Sequence, residues 1–178
     1  MGPFHIAPTG DPTTWPDVCT FVNLAQVKAI DSQITGYKGD PVGSKAEVLG
    51  GSGNTPNNSS CKYNLTTSFD PADSPVTSYV KVSLQGVSPD EQSTWQTEFD
   101  QAKSTSAQYP DQFGDYPNLA GGTHCFYDGS QLQCIKGTYY FDVSGIKVTD
   151  GSNYNADQVA WTKDVVAPLA GQLGSELT

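Results

Sequence analysis

Arginine is missing from the 178 residues: all nine basic side chains are lysines, against 19 acidic ones, for a formal net charge of −10. That balance repels phosphate backbones and anionic lipid headgroups, and the planar fork that grips phosphates and carboxylates at two points is absent. Nucleic acid is therefore not an expected partner, and the acidity serves first to keep the chain soluble. Histidine is scarce, with two, and the four cysteines at 19, 61, 125 and 134 contain no Cys-x-x-Cys spacing. Zinc and thioredoxin-type sites both need such spacing, so no metal and no cofactor are expected. No apolar run approaches the roughly 20 residues of a membrane-spanning helix, and no signal-peptide pattern is present.

Catalytic signatures are missing too. His124 beside Cys125 suggests a thiol nucleophile, but a cysteine held in a disulfide offers no thiolate. The string GGSGN at 50–54 lacks the last glycine of a serine-hydrolase elbow and lies in a loop. Asp111 and Asp115 sit in a turn-rich stretch where Asp is an ordinary turn residue, so they do not read as a glycosidase pair. The run from Asp150 to Asp157 resembles a calcium loop but lacks the central glycine and the closing glutamate. It reads instead as a turn and helix cap. Asn57, Asn58 and Asn64 stand in glycosylation sequons, which matter only in a eukaryotic source.

What is present is an even set of cysteines. The segment CFYDGSQLQC is symmetric about Gly129-Ser130, a glycine-first two-residue hairpin loop. Counting back from Asp128 and Gln131 places Cys125 and Cys134 opposite each other at a non-hydrogen-bonded position, where side chains lie closest. Elimination then joins Cys19 to Cys61, closing a loop of about forty residues that contributes about 3 to 4 kcal/mol in the chain-entropy model. Two disulfides imply an oxidising compartment, and with it an exported protein.

The length suits one core. Residues 1–16, with prolines at 3, 8, 12 and 16, read as an extended N-terminal tether, and 17–178 as a single domain. Trp15 is a candidate to pin the tether to the body. Asn23 to Ile30 reads as a short helix, Asn23 the N-cap and Gln26 its capping-box partner, with Leu24, Val27 and Ile30 on one face. Gly36 to Ser60 is rich in Gly, Asn, Ser and Pro and reads as a long loop.

Cys61, Tyr63 and Leu65, and then Val80, Val82 and Leu84, alternate with polar residues as half-buried strands do. Ser88, Pro89 and Glu91 have the order of N-cap, first-turn proline and capping-box partner, and Trp95, Phe99 and Ala102 line the helix that follows. The disulfide hairpin and TYYFDV, with Tyr139, Phe141 and Val143 on one face, supply three more strands. A closing helix from near Asn155, with Gln158 at the capping-box place, carries Val159, Val166, Leu169 and Leu173 on one stripe, with a kink expected at Pro168. Trp95 and Trp161 sit at core spacing. The order α-β-β-α-β-β-β-α predicts an α+β fold: an antiparallel sheet of about five strands covered by helices, with two disulfides. Three aromatics in loops are the candidate binding residues: Tyr37, Tyr116 and Tyr154.

The order and punctuation resemble a known family. The segment CTFVNLAQV is similar to the opening of actinobacterial cell-envelope lipoproteins of unknown function. Cys61-Lys62-Tyr63, LAGGTHCFYDG, the KGTYYFDV strand and the final amphipathic helix follow in the family's order, over residues 17 to 173. The layout resembles the LprB-type lipoproteins and, more broadly, the PsbP-like sandwich of sheet and helices. The resemblance implies an exported, non-catalytic accessory protein at the cell surface, on the outer face of the cytoplasmic membrane. Its partner would be an envelope protein or a lipid-like ligand, and its only tie to the membrane a lipid anchor that this chain does not carry. The family's acylated N-terminal cysteine has no counterpart here, and the Cys125–Cys134 pair is an addition to the family pattern. From another class, the alternative is a secreted enzyme or an enzyme inhibitor, which would present a rigid exposed loop to its target.

Overall fold

The computed structural model describes residues 15–42, 59–67, 78–147 and 154–178. Local signals set its first elements. Asp17 opens a 3-10 turn, Val18–Thr20, by accepting the Cys19 N–H at 2.9 Å. Asn23 caps α1 (Leu24–Ile30) through the expected reciprocal pair: its Oδ1 accepts from Gln26 N–H at 3.1 Å, and its own N–H donates to Gln26 Oε1 at 2.9 Å.

Seven antiparallel strands follow: β1 (Ile34–Pro41), β2 (Ser60–Thr67), β3 (Ser78–Val87), β4 (Gly114–Leu119), β5 (Thr123–Tyr127), β6 (Leu132–Lys136) and β7 (Tyr139–Ile146). They form one sheet in the order β1-β2-β3-β7-β6-β5-β4. Helix α2 (Glu91–Thr105) joins β3 to β4, and α3 (Tyr154–Trp161) and α4 (Ala167–Glu176) close the chain. The α+β class is as expected, but the sheet has two strands more than the five predicted, and the order of elements differs accordingly. Both additions are edge strands. Gly36 to Pro41, including Tyr37, is not loop but β1, and the turn-rich Gly114 to Leu119, including Tyr116, is β4. Residues 43–58 of the expected loop lie outside the described residues.

Alternation sorts the strands onto two faces. On the front, Tyr63, Leu65, Val80, Val82, Phe141, Val143, Leu132 and Cys134 are buried under Trp15, Val18, Val22 and Val27 at one end and under Trp161, Val165, Leu169 and Leu173 at the other. Trp15 is 3% exposed and packs into the body, as a residue pinning the tether would; residues 1–14 of that tether lie outside the described residues. On the back, α2 lays Trp95 and Phe99 over Phe126, Ile135 and Tyr140. The β5–β7 half is therefore covered on both sides.

Two helix details depart from expectation. α2 begins at Glu91 behind Asp90, and the Ser88 hydroxyl accepts only the Asp90 N–H, at 3.1 Å. Glu91, instead of reaching back to Ser88 as a capping-box partner, is buried over β3, where a Cβ on Gly86 would come within 2.0 Å of its carboxylate. The second departure starts at Pro168, which has no N–H to continue an α-helical ladder. A π-helical stretch, Thr162–Val166, precedes α4, closed by the Ala167 N–H on the Thr162 carbonyl. Its wide turn holds one more residue than an α turn and rotates what comes before it. Val159, expected on the inner stripe with Val166, Leu169 and Leu173, is consequently 51% exposed, whereas Trp161, expected in the core, is buried there with Thr162 beside it.

Both disulfides are formed as expected, Cys19–Cys61 across 42 residues and Cys125–Cys134 across nine. The Cys125 and Cys134 Cα atoms are 4.1 Å apart, the close approach of a non-hydrogen-bonded antiparallel pair. Loop length sets their expected contributions. Replacing Cys19 and Cys61 together by serine should cost about 4 kcal/mol, and replacing Cys125 and Cys134 about 2.5 kcal/mol. Urea unfolding of the two double variants checks the order.

Candidate functional site

The second half of α2, the 3-10 turn Pro110–Gln112 and the β5–β6 hairpin enclose a cleft of about 220 Å³. Its walls are Glu98, Gln101, Ala102, Thr105, Ser106, Tyr109, Gln112, Phe126, Asp128 and Gln133. Among the described residues, two carboxylates and three amides thus share a site that no lysine lines.

Each wall is positioned by a local rule. Asp128 stands before Gly129, whose φ of +94° makes the hairpin loop that its lack of a Cβ permits. The Asp128 Oδ1 accepts from Ser130 N–H at 2.8 Å, Ser130 Oγ at 2.7 Å and Gln131 N–H at 2.9 Å, and Oδ2 accepts from Gln133 Nε2 at 2.7 Å. Three donors on Oδ1 and one on Oδ2, all from the same hairpin, fix the orientation of the carboxylate. Glu98 lies one turn beyond Trp95, whose indole N–H donates to the Gln133 carbonyl at 2.9 Å and pins α2 to β6.

The floor is a polar chain set within an apolar layer. The Tyr140 hydroxyl lies between Glu98 Oε2 and Gln133 Oε1 as donor to both, and Gln133 passes the chain on to Asp128. Burial drives the Tyr140 hydroxyl pKa far above its usual 10, with the nearby charges of Asp142, Glu98 and Asp128 adding to the effect. Tyr140 therefore stays protonated and remains a donor. On the front face Tyr63 is raised in the same direction, by burial first and then by Tyr37 and Asp17, while its hydroxyl donates to the Val18 carbonyl.

The residues singled out from sequence do not meet here. Tyr37 is half-buried on the front, its hydroxyl donating to the Val22 carbonyl at 2.7 Å and its ring 5.7 Å from that of Tyr63. Tyr116, half-buried on β4, packs against the same front core, and its hydroxyl pKa is raised by burial and by Asp164. Tyr154 opens α3; its side chain lies outside the described residues, as do those of Asp111, Asn57 and Asn58. Asp115 pairs with His124, its Oδ1 2.7 Å from His124 Nε2, and the centre of the His124 ring is 4.6 Å from that of Trp95. Cys125 is in its disulfide, so His124 faces no thiol. Asn64 donates to Asp40 at 2.7 Å.

Glu98, Asp128, Gln133 and Tyr140 escaped notice in the sequence. One signal was available: Gln133 and Tyr140 fall on the opposite face from Cys134 and Phe141 in strands apolar on both sides, and a polar group there requires a partner.

Among the described residues no group of three or more His, Cys, Asp or Glu is arranged to hold a metal ion, and no helix is long and apolar enough to cross a membrane. The two disulfides are compatible with an extracellular location. Comparison with protein-family models, with curated proteins and with solved structures finds no match.

Replacing Tyr140 with phenylalanine should cost about 1 to 3 kcal/mol, because Glu98 and Gln133 lose a buried donor. A pH signature accompanies it. Above about pH 10 the unfolded chain releases tyrosine protons that folded Tyr63 and Tyr140 retain, so stability falls as pH rises, by about 1.4 kcal/mol per pH unit for each. Urea midpoints followed from pH 9 to 11 should show that fall, and Tyr140→Phe should make it shallower by about one tyrosine's share.

Proposed function

We propose that this chain is an exported, non-catalytic accessory protein of a cell envelope, related to the actinobacterial lipoproteins it resembles, and that it binds a protein partner through the cleft between α2 and the β5–β6 hairpin. The observation carrying this reading is the state of the cleft's polar groups. Asp128 is held by four donors of its own hairpin, and Tyr140 is a buried hydroxyl held protonated. Groups so committed are suited to hold a shape and a charge, and poorly suited to passing protons to a substrate.

The apolar layer beneath α2 also favours a protein partner over a lipid-like ligand. Trp95, Phe99 and Phe126 fill the space between helix and sheet with rings 5.3 to 5.6 Å apart. A secreted hydrolase is the competing reading, and the carboxylates of Glu98 and Asp128 on one cleft are what support it.

Crosslinking in the cell envelope of the source organism, followed by pull-down and mass spectrometry, tests the proposal. One recurring protein, with its crosslinks on α2 or the hairpin, is the expected result. A recurring lipid without protein would replace the partner by a ligand. Turnover of a generic ester, peptide or glycoside at enzymatic rates by the purified chain would overturn the non-catalytic reading.

A further inference from the structure

The back of the sheet is covered unevenly. α2 crosses β6 and β7 and meets β3 near its far end, where Glu91 lies over Gly86. Beside it, β1, β2 and the opening half of β3 turn a polar face to the same side, carrying Lys38, Lys62 and Lys81 on adjacent strands. Three of the nine lysines of a chain with net charge −10 thus stand together.

The acids of this face serve other groups. Asp40 is the register partner of Lys62, but its Oδ1 pairs with the Lys38 ammonium at 2.7 Å and its Oδ2 accepts from the Asn64 amide at 2.7 Å. Asp142 on β7 accepts from the Gln85 amide at 2.6 Å. Lys62 lies instead over Tyr79, its ammonium 4.2 Å from the ring centre. Among the described residues neither Lys62 nor Lys81 forms an ion pair.

The two are also direct cross-strand neighbours. Side chains so placed start about 5 Å apart, and like charges there repel. Both lysines are half-buried, so solvent screens them less than it screens charges on an open surface. Nothing in the fold requires both charges, because an uncharged polar residue would fill either position. An anion drawn between the ammoniums relieves the repulsion that the fold alone leaves in place.

We propose that this open half of the back face is a second contact for the partner that binds beside α2, and that it receives an acidic segment whose carboxylates settle between Lys62 and Lys81. This rests on the reading of the chain as a protein-binding accessory and adds the charge of the partner's surface. A pleated face is flat where a small ligand needs an enclosure, and it continues the side of the sheet on which α2 lies. The remainder of the molecule repels an acidic segment, so the lysines decide where it docks.

Isotope-labelled full-length chain titrated with acetylated, amidated hexaglutamate tests it, with nuclear magnetic resonance reading the backbone amides of β2 and β3. The expected result is saturable shifts centred on Lys62 and Lys81, absent with hexaglutamine and fading as salt rises from about 20 to 200 mM. Lys62→Gln and Lys81→Gln should each weaken binding about threefold or more, while Lys28→Gln, exposed on α1 across the sheet, should leave it unchanged. Lys81→Gln should also leave the urea midpoint unchanged or higher, since it removes a repulsion. A lower midpoint, unweakened binding by Lys81→Gln, or shifts spread over lysines elsewhere would overturn the proposal. Binding of heparin or of phosphatidylglycerol vesicles without response to hexaglutamate would overturn it in favour of a glycan or a lipid surface. A recurring envelope protein crosslinked to α2, with no carbodiimide link from its carboxylates to Lys62 or Lys81, would remove this contact and leave the accessory reading standing.

Discussion

Covering one half of a sheet on both faces constrains everything that half contains. β5, β6 and β7 lie between the closing helical segment on the front and α2 on the back, so most of the alternate residues that a one-sided sheet would turn to water are covered. The polar residues on the back of β6 and β7 must then find partners within the protein. Gln133 and Tyr140 do so by bonding each other, the hairpin carboxylate and Glu98 across from the helix. The cleft floor is thus a by-product of two-sided burial, and its position beside the hairpin follows from where α2 runs out.

The parts of this architecture legible in the sequence are those with a local cause. Asn23 and Gln26 cap α1 through groups three residues apart, and the Cys125–Cys134 hairpin is symmetric about a two-residue loop, so each could be placed without knowing the rest of the chain. β1 and β4 escaped for a common physical reason: they are the two edges of the sheet. An edge strand packs only partly, and Gly36, Lys38, Asp40 and Pro41 in one, with Asp115, Pro117 and Asn118 in the other, are residues that blunt an edge against further pairing. Their β state is set by the backbone ladder of the neighbouring strand, which hydropathy does not record. The candidate site was hidden by distance. Glu98, Asp128, Gln133 and Tyr140 look like ordinary helix, turn and strand residues until β6 pairs with β7 and α2 lies across them. Tyr37 and Tyr116, expected in loops, are on strands and half-buried.

The closing helix shows how one residue can override a stripe read by eye. Pro168 marks the place where the ladder must break, and a kink was the expected response. A π-helical turn precedes Pro168 and shifts phase by one residue, which turns Val159 outward while Trp161 is buried as its core spacing led one to expect. Small residues then let α4 settle close to the sheet: a Cβ on Gly174 would meet Thr123 Oγ1 at 1.8 Å.

The Cys19–Cys61 bond also fixes how the domain would respond to being pulled. Tension arriving from the N-terminal side at Trp15 reaches Cys19 within four residues and passes through the sulfurs into β2, which lies one strand in from the edge. α1 and β1 fall between residues 19 and 61, inside the covalent loop, so the load bypasses the capped helix and the hydrogen bonds of the edge strand. Among the described residues, Trp15 to Val18 would be stripped before a covalent link took up the strain. The segment that holds this domain to anything upstream is therefore fastened to its interior, and reduction of that bond would change the load path, transferring force to α1 and to an edge ladder that would open one rung at a time.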